Sequence, residues 1–201
     1  MDVKNKRVVV TGAASGIGKA LCEAFHQAEA KTVIAVDMNL EGAQDTADSV
    51  NGIAVQANVG NEEEIINVIQ KADEHAGGTD IFCSNAGIGG LPGFFEVGAS
   101  DWQNIWDVNV QSHIFAAKHV LPQMIERGEG YLVNTSSAAG LLTQLGAAGY
   151  SVTKAAAVSF AEWIKIPYGE KGIGVSCLCP QAVRTAMTAQ GPGVAGVDGM
   201  M

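Results

Sequence analysis

The sequence predicts an α/β fold with one doubly wound parallel sheet and helices on both faces. Two observations predict this class. Short β-branched runs alternate with longer stretches of helical spacing along nearly the whole chain. The predicted strands are also hydrophobic throughout instead of alternating with polar residues, which is typical of strands that are buried on both faces of a parallel sheet.

The predicted elements follow one another in alternation from the first strand, "RVVVTG". In the first helix Ile17, Leu21 and Phe25 share a face, and Asn61 with the glutamates after it suits the N-terminus of the third helix. Pro122 is expected to kink the longest helix near its end. The strands are predicted over 7–12, 31–37, 52–59, 80–87, 130–137 and 173–180, and the helices over 16–30, 40–50, 61–76, 100–127 and 150–168.

The length of 201 residues fits one domain, which we predict over 1–188, with 189–201 as the flexible, glycine-rich start of a substrate loop. The formal charge of −9 disfavours nucleic acids and anionic membranes as partners. The apolar runs are too short to cross a bilayer. The N-terminus lacks an apolar signal region, so we expect a cytoplasmic protein.

The cysteines and histidines lack the spacing of a metal site or a redox C-x-x-C motif. The only close pair is Cys177 and Cys179, which would point to one face of the last strand. We expect these two, together with Cys22 and Cys83, to be small core residues, and we expect no metal.

A glycine-rich stretch, "TGAASGIG" (11–18), joins the first strand to the first helix. Ligands of open parallel sheets bind beyond the carboxyl ends of the strands. Glycines there allow a tight turn and let a pyrophosphate approach backbone N–H groups at the helix N-terminus. The stretch predicts a dinucleotide site that includes Gly12, Ser15, Gly16, Ile17 and Gly18.

Asp37 ends the second strand, about twenty residues after the glycine loop. A carboxylate at this point accepts hydrogen bonds from both hydroxyls of the adenosine ribose and repels a 2′-phosphate. None of Ala14, Ser15 and the adjacent Met38 is basic. These features favour NAD, while an NADP-linked carbonyl reductase remains an alternative.

Tyr150 and Lys154 are four residues apart in "GYSVTKAAA" (149–157). On a helix they share a face, with Cβ atoms about 5–6 Å apart. A free phenol is a poor base at neutral pH, but a nearby ammonium group stabilises the phenolate. Such a phenol can exchange a proton with an alcohol or a carbonyl while hydride moves to or from a nicotinamide.

The T-G-x-x-x-G-I-G and Y-x-x-x-K patterns together resemble the short form of the short-chain dehydrogenase/reductase family, from residue 7 to about 188. The resemblance implies a Rossmann-type sheet and a catalytic tetrad of Asn109, Ser137, Tyr150 and Lys154. Ser137 would stabilise charge on the substrate oxygen, and its spacing from Tyr150 favours it over Ser136. Asn109 would hold a water that relays protons, and Lys154 would also bind the nicotinamide ribose.

The resemblance implies further cofactor contacts at the other strand ends. Gln181 stands where the family has a glycine, so the shape of that loop stays open. The implied contacts are Asn58 and Val59 at the adenine, Asn85, Ala86 and Gly87 in "SNAG", and Pro180, Val183 and Thr185 in "CPQAVRT".

We therefore predict an NAD-dependent oxidoreductase that interconverts a secondary alcohol and a ketone. The apolar segments 88–97 and 138–149 indicate an apolar small-molecule substrate. By resemblance we expect a homodimer or homotetramer formed through helices 100–127 and 150–168. Family members usually continue further, so we expect a C-terminally truncated chain, and an NAD(H)-binding protein without turnover remains the other reading.

Overall fold

The computed structural model describes residues 1–185, so the predicted boundary at 188 and the predicted loop over 189–201 lie outside the described residues. Helices and strands alternate as the sequence predicts. The strands are β1 (Arg7–Thr11), β2 (Thr32–Asp37), β3 (Ile53–Gln56), β4 (Ile81–Ser84), β5 (Gly130–Thr135) and β6 (Ile173–Leu178). The α-helices are α1 (Gly16–Gln27), α2 (Leu40–Ser49), α3 (Glu62–Ala76), α4 (Ala99–Trp106), α5 (Ser112–Arg127) and α6 (Ala148–Tyr168).

The strands form one parallel sheet in the order β3-β2-β1-β4-β5-β6. The predicted fold class is therefore confirmed. The chain returns from β3 at one edge to β4 beside β1, so the strand order reverses between β1 and β4. This reversal opens a crevice at the carboxyl ends, which is where ligands bind in such sheets.

The two faces of the sheet carry separate hydrophobic clusters. Helices α1 and α2 cover one face, where Val8, Val10 and Cys22 are fully buried. Helices α3, α5 and α6 cover the other face, around Val9 and Phe82. Strand β4 and all of β1 except half-buried Arg7 are buried between these layers, which explains the continuous apolar runs in the sequence.

The long helix predicted over 100–127 is interrupted, but not at Pro122. Helix α5 continues past this proline to Arg127, whereas a π-helical segment, Asp107–Gln111, separates α4 from α5. Insertions of this kind are frequent at functional sites. The π-helical segment presents the buried amide of Asn109 to the backbone of Ile88.

Other element ends differ from the prediction by a few residues. Strand β4 ends at Ser84, so Asn85–Gly87 leave the ladder and form a loop above it. The predicted N-cap is found, because Asn61 accepts a hydrogen bond from Glu63 N at 3.0 Å. Within residues 1–185, no helix is long and apolar enough to cross a membrane.

Candidate active site

One groove lies across the carboxyl ends of the strands and has a volume of about 320 Å³. The tertiary structure brings together residues from eight separate stretches of the sequence there. All the predicted cofactor contacts line it: Gly12, Ser15, Gly16, Ile17, Gly18, Asp37, Met38, Asn58, Val59, Asn85, Ala86, Gly87, Tyr150, Lys154, Pro180, Val183 and Thr185. Of the four predicted catalytic residues, Ser137, Tyr150 and Lys154 line the groove, whereas Asn109 lies behind its wall.

The glycine loop forms a cradle that side chains would fill. Gly12 and Gly16 have φ of +68° and +54°, which favours glycine over other residues. A Cβ atom on Gly12 would lie 2.8 Å from Ala86 Cα, and one on Gly18 would lie 2.0 Å from Gly12 O. The open backbone at the N-terminus of α1 therefore fits the pyrophosphate of a dinucleotide.

Asp37 is held in place by the backbone of the glycine loop. Its Oδ2 atom accepts from Ala14 N at 3.0 Å, and its Oδ1 atom accepts from Asn39 N at 2.9 Å. The carboxylate thus has a fixed orientation at the groove and keeps further lone pairs for a ligand.

Thr11 links the ends of β1 and β4, a role that the sequence analysis missed. Its hydroxyl donates to Cys83 O at 3.2 Å and accepts from the backbone N–H groups of Asn85 and Ala86 at 3.0 and 3.1 Å. Asn85 Nδ2 in turn donates to Thr11 O at 3.0 Å. The amide of Asn85 therefore braces the two central strands.

Lys154 is buried beneath the groove. Its Nζ atom donates to Thr135 O at 3.0 Å and lies 5.6 Å from the ring centroid of Tyr150. Burial lowers the pKa of Lys154 to about 8, although nearby Cys177 and Cys179 act in the opposite direction. The charge of this ammonium group therefore responds to pH near neutrality.

Gly87 makes room for the lysine. A Cβ atom on Gly87 would lie 3.2 Å from Lys154 Nζ and 3.3 Å from Asn109 Oδ1. Both distances are tighter than ordinary contacts, so a side chain here would press on both groups. The space that this glycine leaves is thus occupied by the protein's own polar side chains.

Asn109 uses its side-chain amide within the protein. Its Oδ1 atom accepts from Ile88 N at 2.9 Å, and its Nδ2 atom donates to Ile88 O at 2.9 Å and to Thr153 Oγ1 at 3.2 Å. The residue is fully buried. Its side chain therefore joins the π-helical segment to the loop after β4 and to α6.

The two serines after β5 differ in their partners. The buried hydroxyl of Ser136 donates to Lys154 O at 2.7 Å. The hydroxyl of Ser137 accepts from Ala139 N at 3.1 Å and keeps its own proton for a ligand in the groove. Within residues 1–182, the Ser137 hydroxyl thus has no acceptor for its proton, whereas that of Ser136 is bound to the backbone of Lys154.

The remaining predicted contacts form the two ends of the groove. At one end, Asn58 Oδ1 already accepts from Gly60 N at 3.0 Å, so one of its lone pairs is used by its own turn. At the other end, Pro180 O accepts from Ala138 N at 2.8 Å, and Gln181 lines the groove beside it.

A second depression, of about 150 Å³, lies beside Tyr150 and is lined by residues including Ile88, Leu91 and Ile105. The loops around its mouth are joined by the β-bridge Gly93–Ala147. Large apolar side chains are exposed on both loops: Leu91, Phe94, Phe95, Leu141, Leu142 and Leu145. Over residues 1–185, no group of three or more His, Cys, Asp or Glu side chains could hold a metal ion.

This groove, with glycines at its base and a tyrosine–lysine pair at its wall, defines a class of protein. The chain matches the short chain dehydrogenase family over residues 6–192 and belongs to it. It is therefore an oxidoreductase of that family, as the sequence motifs predicted.

Characterised and uncharacterised relatives agree with this assignment. The chain is 31% identical over 191 residues to meso-2,3-butanediol dehydrogenase of Serratia marcescens, covering 94% of this chain and 75% of that protein. It is 32% identical over 188 residues to an uncharacterised oxidoreductase of Staphylococcus aureus, covering 92% of this chain and 81% of that protein.

Two solved structures share the fold closely. A short-chain dehydrogenase/reductase from Burkholderia phymatum in complex with NAD has a TM-score of 0.90 at 28% identity, covering 94% of this chain and 70% of that chain. The 3-ketoacyl-(acyl-carrier-protein) reductase from Brucella melitensis, complexed with NADH, also has a TM-score of 0.90 at 28% identity, covering 93% and 79%.

Proposed function

We propose that this chain is an NAD-dependent oxidoreductase that interconverts a secondary alcohol and a ketone, with Tyr150 as the general acid/base. The observation that carries the proposal is the position of Tyr150. It lines the same groove as the glycine cradle and lies over the buried ammonium group of Lys154. A proton donor and a dinucleotide site therefore share one cavity.

The bound nicotinamide would supply the hydride chemistry, and the chain's own residues would handle the proton and the charge. Tyr150 would give its proton to a carbonyl oxygen, or take one from an alcohol. Lys154 would stabilise the phenolate through its charge, and Ser137 would donate to the substrate oxygen as charge develops there.

The backbone of Asn109, and not its side chain, would hold the water that relays protons from Lys154. The side-chain amide of Asn109 is fully engaged with Ile88 and Thr153. We therefore assign any water that Asn109 holds to its backbone, within the π-helical segment. The side chain fixes the shape of this segment next to the lysine.

NAD is favoured over NADP by the fixed carboxylate of Asp37. It is oriented by Ala14 N and Asn39 N and would meet the adenosine ribose as a hydrogen-bond acceptor. A 2′-phosphate at the same point would face this negative charge. The NAD and NADH bound to the two solved relatives are consistent with this preference.

An apolar substrate is favoured by the loops around the second depression. Phe95 and Leu145 are 93% and 94% exposed, and similar side chains surround them. Exposed apolar patches of this kind mark binding surfaces. We infer a small, apolar alcohol or ketone as the substrate.

Titration of the chain, with its cysteines kept reduced, with NADH and with NADPH tests the cofactor part of the proposal. Trp102, Trp106 and Trp163 would transfer fluorescence energy to the bound dihydronicotinamide. We expect NADH to bind and NADPH to bind more weakly. Equal binding of both would overturn the assignment to NAD, and binding without turnover of any alcohol or ketone in a panel would favour the non-catalytic alternative.

We also propose a homodimer or homotetramer formed through α5 and α6. Val152, Trp163 and Ile166 on α6 are 50%, 58% and 80% exposed in the single chain, which leaves an apolar strip for a second copy. Light scattering of the wild type and of Ile166→Glu tests this surface. A wild-type chain that elutes as a monomer would contradict it.

A further inference from the structure

Cys177 and Cys179 place two free thiols side by side at the end of the last strand. Cys177 lies within β6, and Cys179 follows its last residue. Their sulfur atoms are 3.8 Å apart, and both residues are half-buried, whereas Cys22 and Cys83 are fully buried. The expected core location therefore holds for Cys22 and Cys83 but not for this pair, because β6 pairs only with β5 within residues 1–185.

The backbone on either side of Cys179 holds the backbone on either side of Ser137. The ladder between β5 and β6 continues past the strand ends as two hydrogen bonds that flank these residues. They run from Ser136 N to Leu178 O, at 2.7 Å, and from Ala138 N to Pro180 O, at 2.8 Å. A displacement of the Cys179 backbone is therefore transmitted to the turn that carries Ser137.

The thiol pair also lies beside Lys154. Cys177 and Cys179 are both close enough for their charge to raise the pKa of this lysine, against the burial that lowers it. Asn134, the register partner of Cys177 on β5, points to the same face. The pair thus lies behind the groove wall and not in the cavity itself.

We propose that Cys177 and Cys179 are a modification site, at which hydrogen peroxide forms an intrachain disulfide that displaces the turn carrying Ser137. In the first step a thiolate of Cys179 attacks the peroxide O–O bond, giving a sulfenic acid and, after protonation, water. In the second step the Cys177 sulfur displaces hydroxide from that sulfenic acid, and the proton of its thiol leaves with the hydroxide as water. The two sulfur atoms together lose two electrons, which reduce the peroxide to water.

The order of the steps follows from the surroundings of the two thiols. Cys177 lies within the β5–β6 ladder, where burial raises its pKa and Cys179 acts in the same direction, while the Ser136 N–H and Lys154 act in the opposite direction. Cys177 is therefore protonated at neutral pH and reacts second, as the resolving thiol. Cys179 lies beyond the strand, next to the residue that begins the groove wall.

Closing the disulfide would strain the backbone between the two thiols. A disulfide bond is about 2.05 Å long, so the sulfur atoms must approach from 3.8 Å. Alternate residues of an extended strand have Cα atoms about 6.6 Å apart, near the upper limit of about 6.8 Å for disulfides. The contraction falls on the segment after Leu178, because residues before it are held in the ladder.

Peroxide treatment of the reduced full chain tests the proposal. We expect peptide mass spectrometry to find a disulfide between Cys177 and Cys179, about two mass units lighter than the dithiol. Deuterium exchange of the amides over 136–139 should rise, and dithiothreitol should reverse both changes. Cys177→Ser and Cys179→Ser should show neither change, whereas the matched control Cys22→Ala should respond as the wild type does.

A consequence for turnover rests on the proposed function of Ser137. If that function holds, oxidation should lower kcat on the order of 10²-fold, as loss of one charge-stabilising donor does. The affinity for NADH should fall less than kcat, because the glycine loop and Asp37 lie across the groove, although the predicted contact Pro180 directly follows Cys179. Oxidation that yields no bond between these two thiols overturns the proposal, as does a disulfide that leaves exchange over 136–139 unchanged; a chain that forms the bond and alters exchange but never turns over contradicts only the proposed function.

Discussion

Two largely buried cations at opposite ends of the sheet differ in how their charge is compensated. At the amino ends of the strands, Arg7 donates from Nε to Asp80 Oδ2 at 2.7 Å and from a terminal nitrogen to Oδ1, and its backbone N–H donates to Oδ2 at 2.9 Å. At the carboxyl ends, Lys154 donates to the Thr135 carbonyl and has no acidic partner among residues 1–185.

The pKa values follow these surroundings. The hydrogen bonds that Arg7 donates to Asp80 raise the pKa of Arg7, whereas burial lowers the pKa of Lys154 to about 8. Burial opposes ionisation of Asp80, but the hydrogen bonds and charge of Arg7 outweigh it, so the pKa of Asp80 lies below its ordinary value. The charge at one end of the sheet is paired with a carboxylate, and the charge at the other end lies beside Tyr150, the proposed acid/base.

Loss of the phenol at the carboxyl end should have the largest effect. We expect Tyr150→Phe to lower kcat by about 10³-fold, within the range for loss of a general acid/base. NADH affinity and Tm should change little, since Tyr150 is only half-buried. Steady-state kinetics and NADH titration measure the split.

Tyr131→Phe is the matched control for this prediction. The Tyr131 hydroxyl bonds Ser176 Oγ at 2.8 Å, away from the groove. Its loss should leave kcat near the wild-type value. A Tyr150→Phe variant that retains most of the activity would show that another group moves the proton.

Breaking the charge pair at the amino end should give the opposite pattern. We expect Asp80→Asn to lower the free energy of unfolding by about 3 kcal/mol, because it leaves a largely buried guanidinium group without its partner. NADH binding should be unchanged at temperatures where the protein is folded. Urea unfolding provides the measurement.

The exposed pair Lys4–Glu29 is the control, with side chains 57% and 69% exposed. Glu29→Gln should change the free energy of unfolding by less than about 1 kcal/mol. The stabilisation from Asp80 should be present above its ordinary pKa of 3.8 and should be lost as pH falls below it. Equal effects of the two variants would contradict the contrast between the two ends.

The pH dependence of stability tests the unpaired cation. Between pH 8 and 10.5 the unfolded chain holds the Lys154 proton and the folded chain releases it, so stability should rise with pH across this window. We expect Lys154→Met to remove a rise of roughly 2 kcal/mol. Urea unfolding at both ends of the window measures it, with the exposed Lys31→Met as control. An unchanged slope in Lys154→Met would show that the ammonium group is not desolvated.

The smallest expected effect concerns cofactor choice. Asp37→Ser should weaken NADH binding by about tenfold, or about 1.4 kcal/mol, and strengthen NADPH binding, because the charge facing a 2′-phosphate is removed. Asp45→Asn, an exposed carboxylate on α2, should alter neither affinity. If Asp37→Ser leaves the ratio of the two affinities unchanged, Asp37 does not select the cofactor.

Much of the fold could be predicted because its signals are local. Continuous apolar runs specify strands that are buried on both faces. Glycines between a strand and a helix specify a loop whose backbone N–H groups can bind a phosphate. Tyr150 and Lys154 share a face by helical spacing alone. These signals predicted residues of the groove and the family without knowledge of which residues contact one another in the folded chain.

Only the tertiary structure shows which residues distant in sequence contact one another. The Thr11 brace, the Asn109 amide on Ile88 and the proximity of Cys179 to the Ser137 turn each depend on strand register or on the π-helical segment. Nor does spacing show that Gly87 leaves room for Lys154.

The sequence by itself therefore determined the class of fold, the family and the identity of the polar residues at the strand ends. Only the tertiary structure decided which of these side chains are already paired and which stay open. The physical reason is that periodicity acts within a few residues, whereas burial, pKa and hydrogen-bond satisfaction depend on neighbours that the folded sheet brings together.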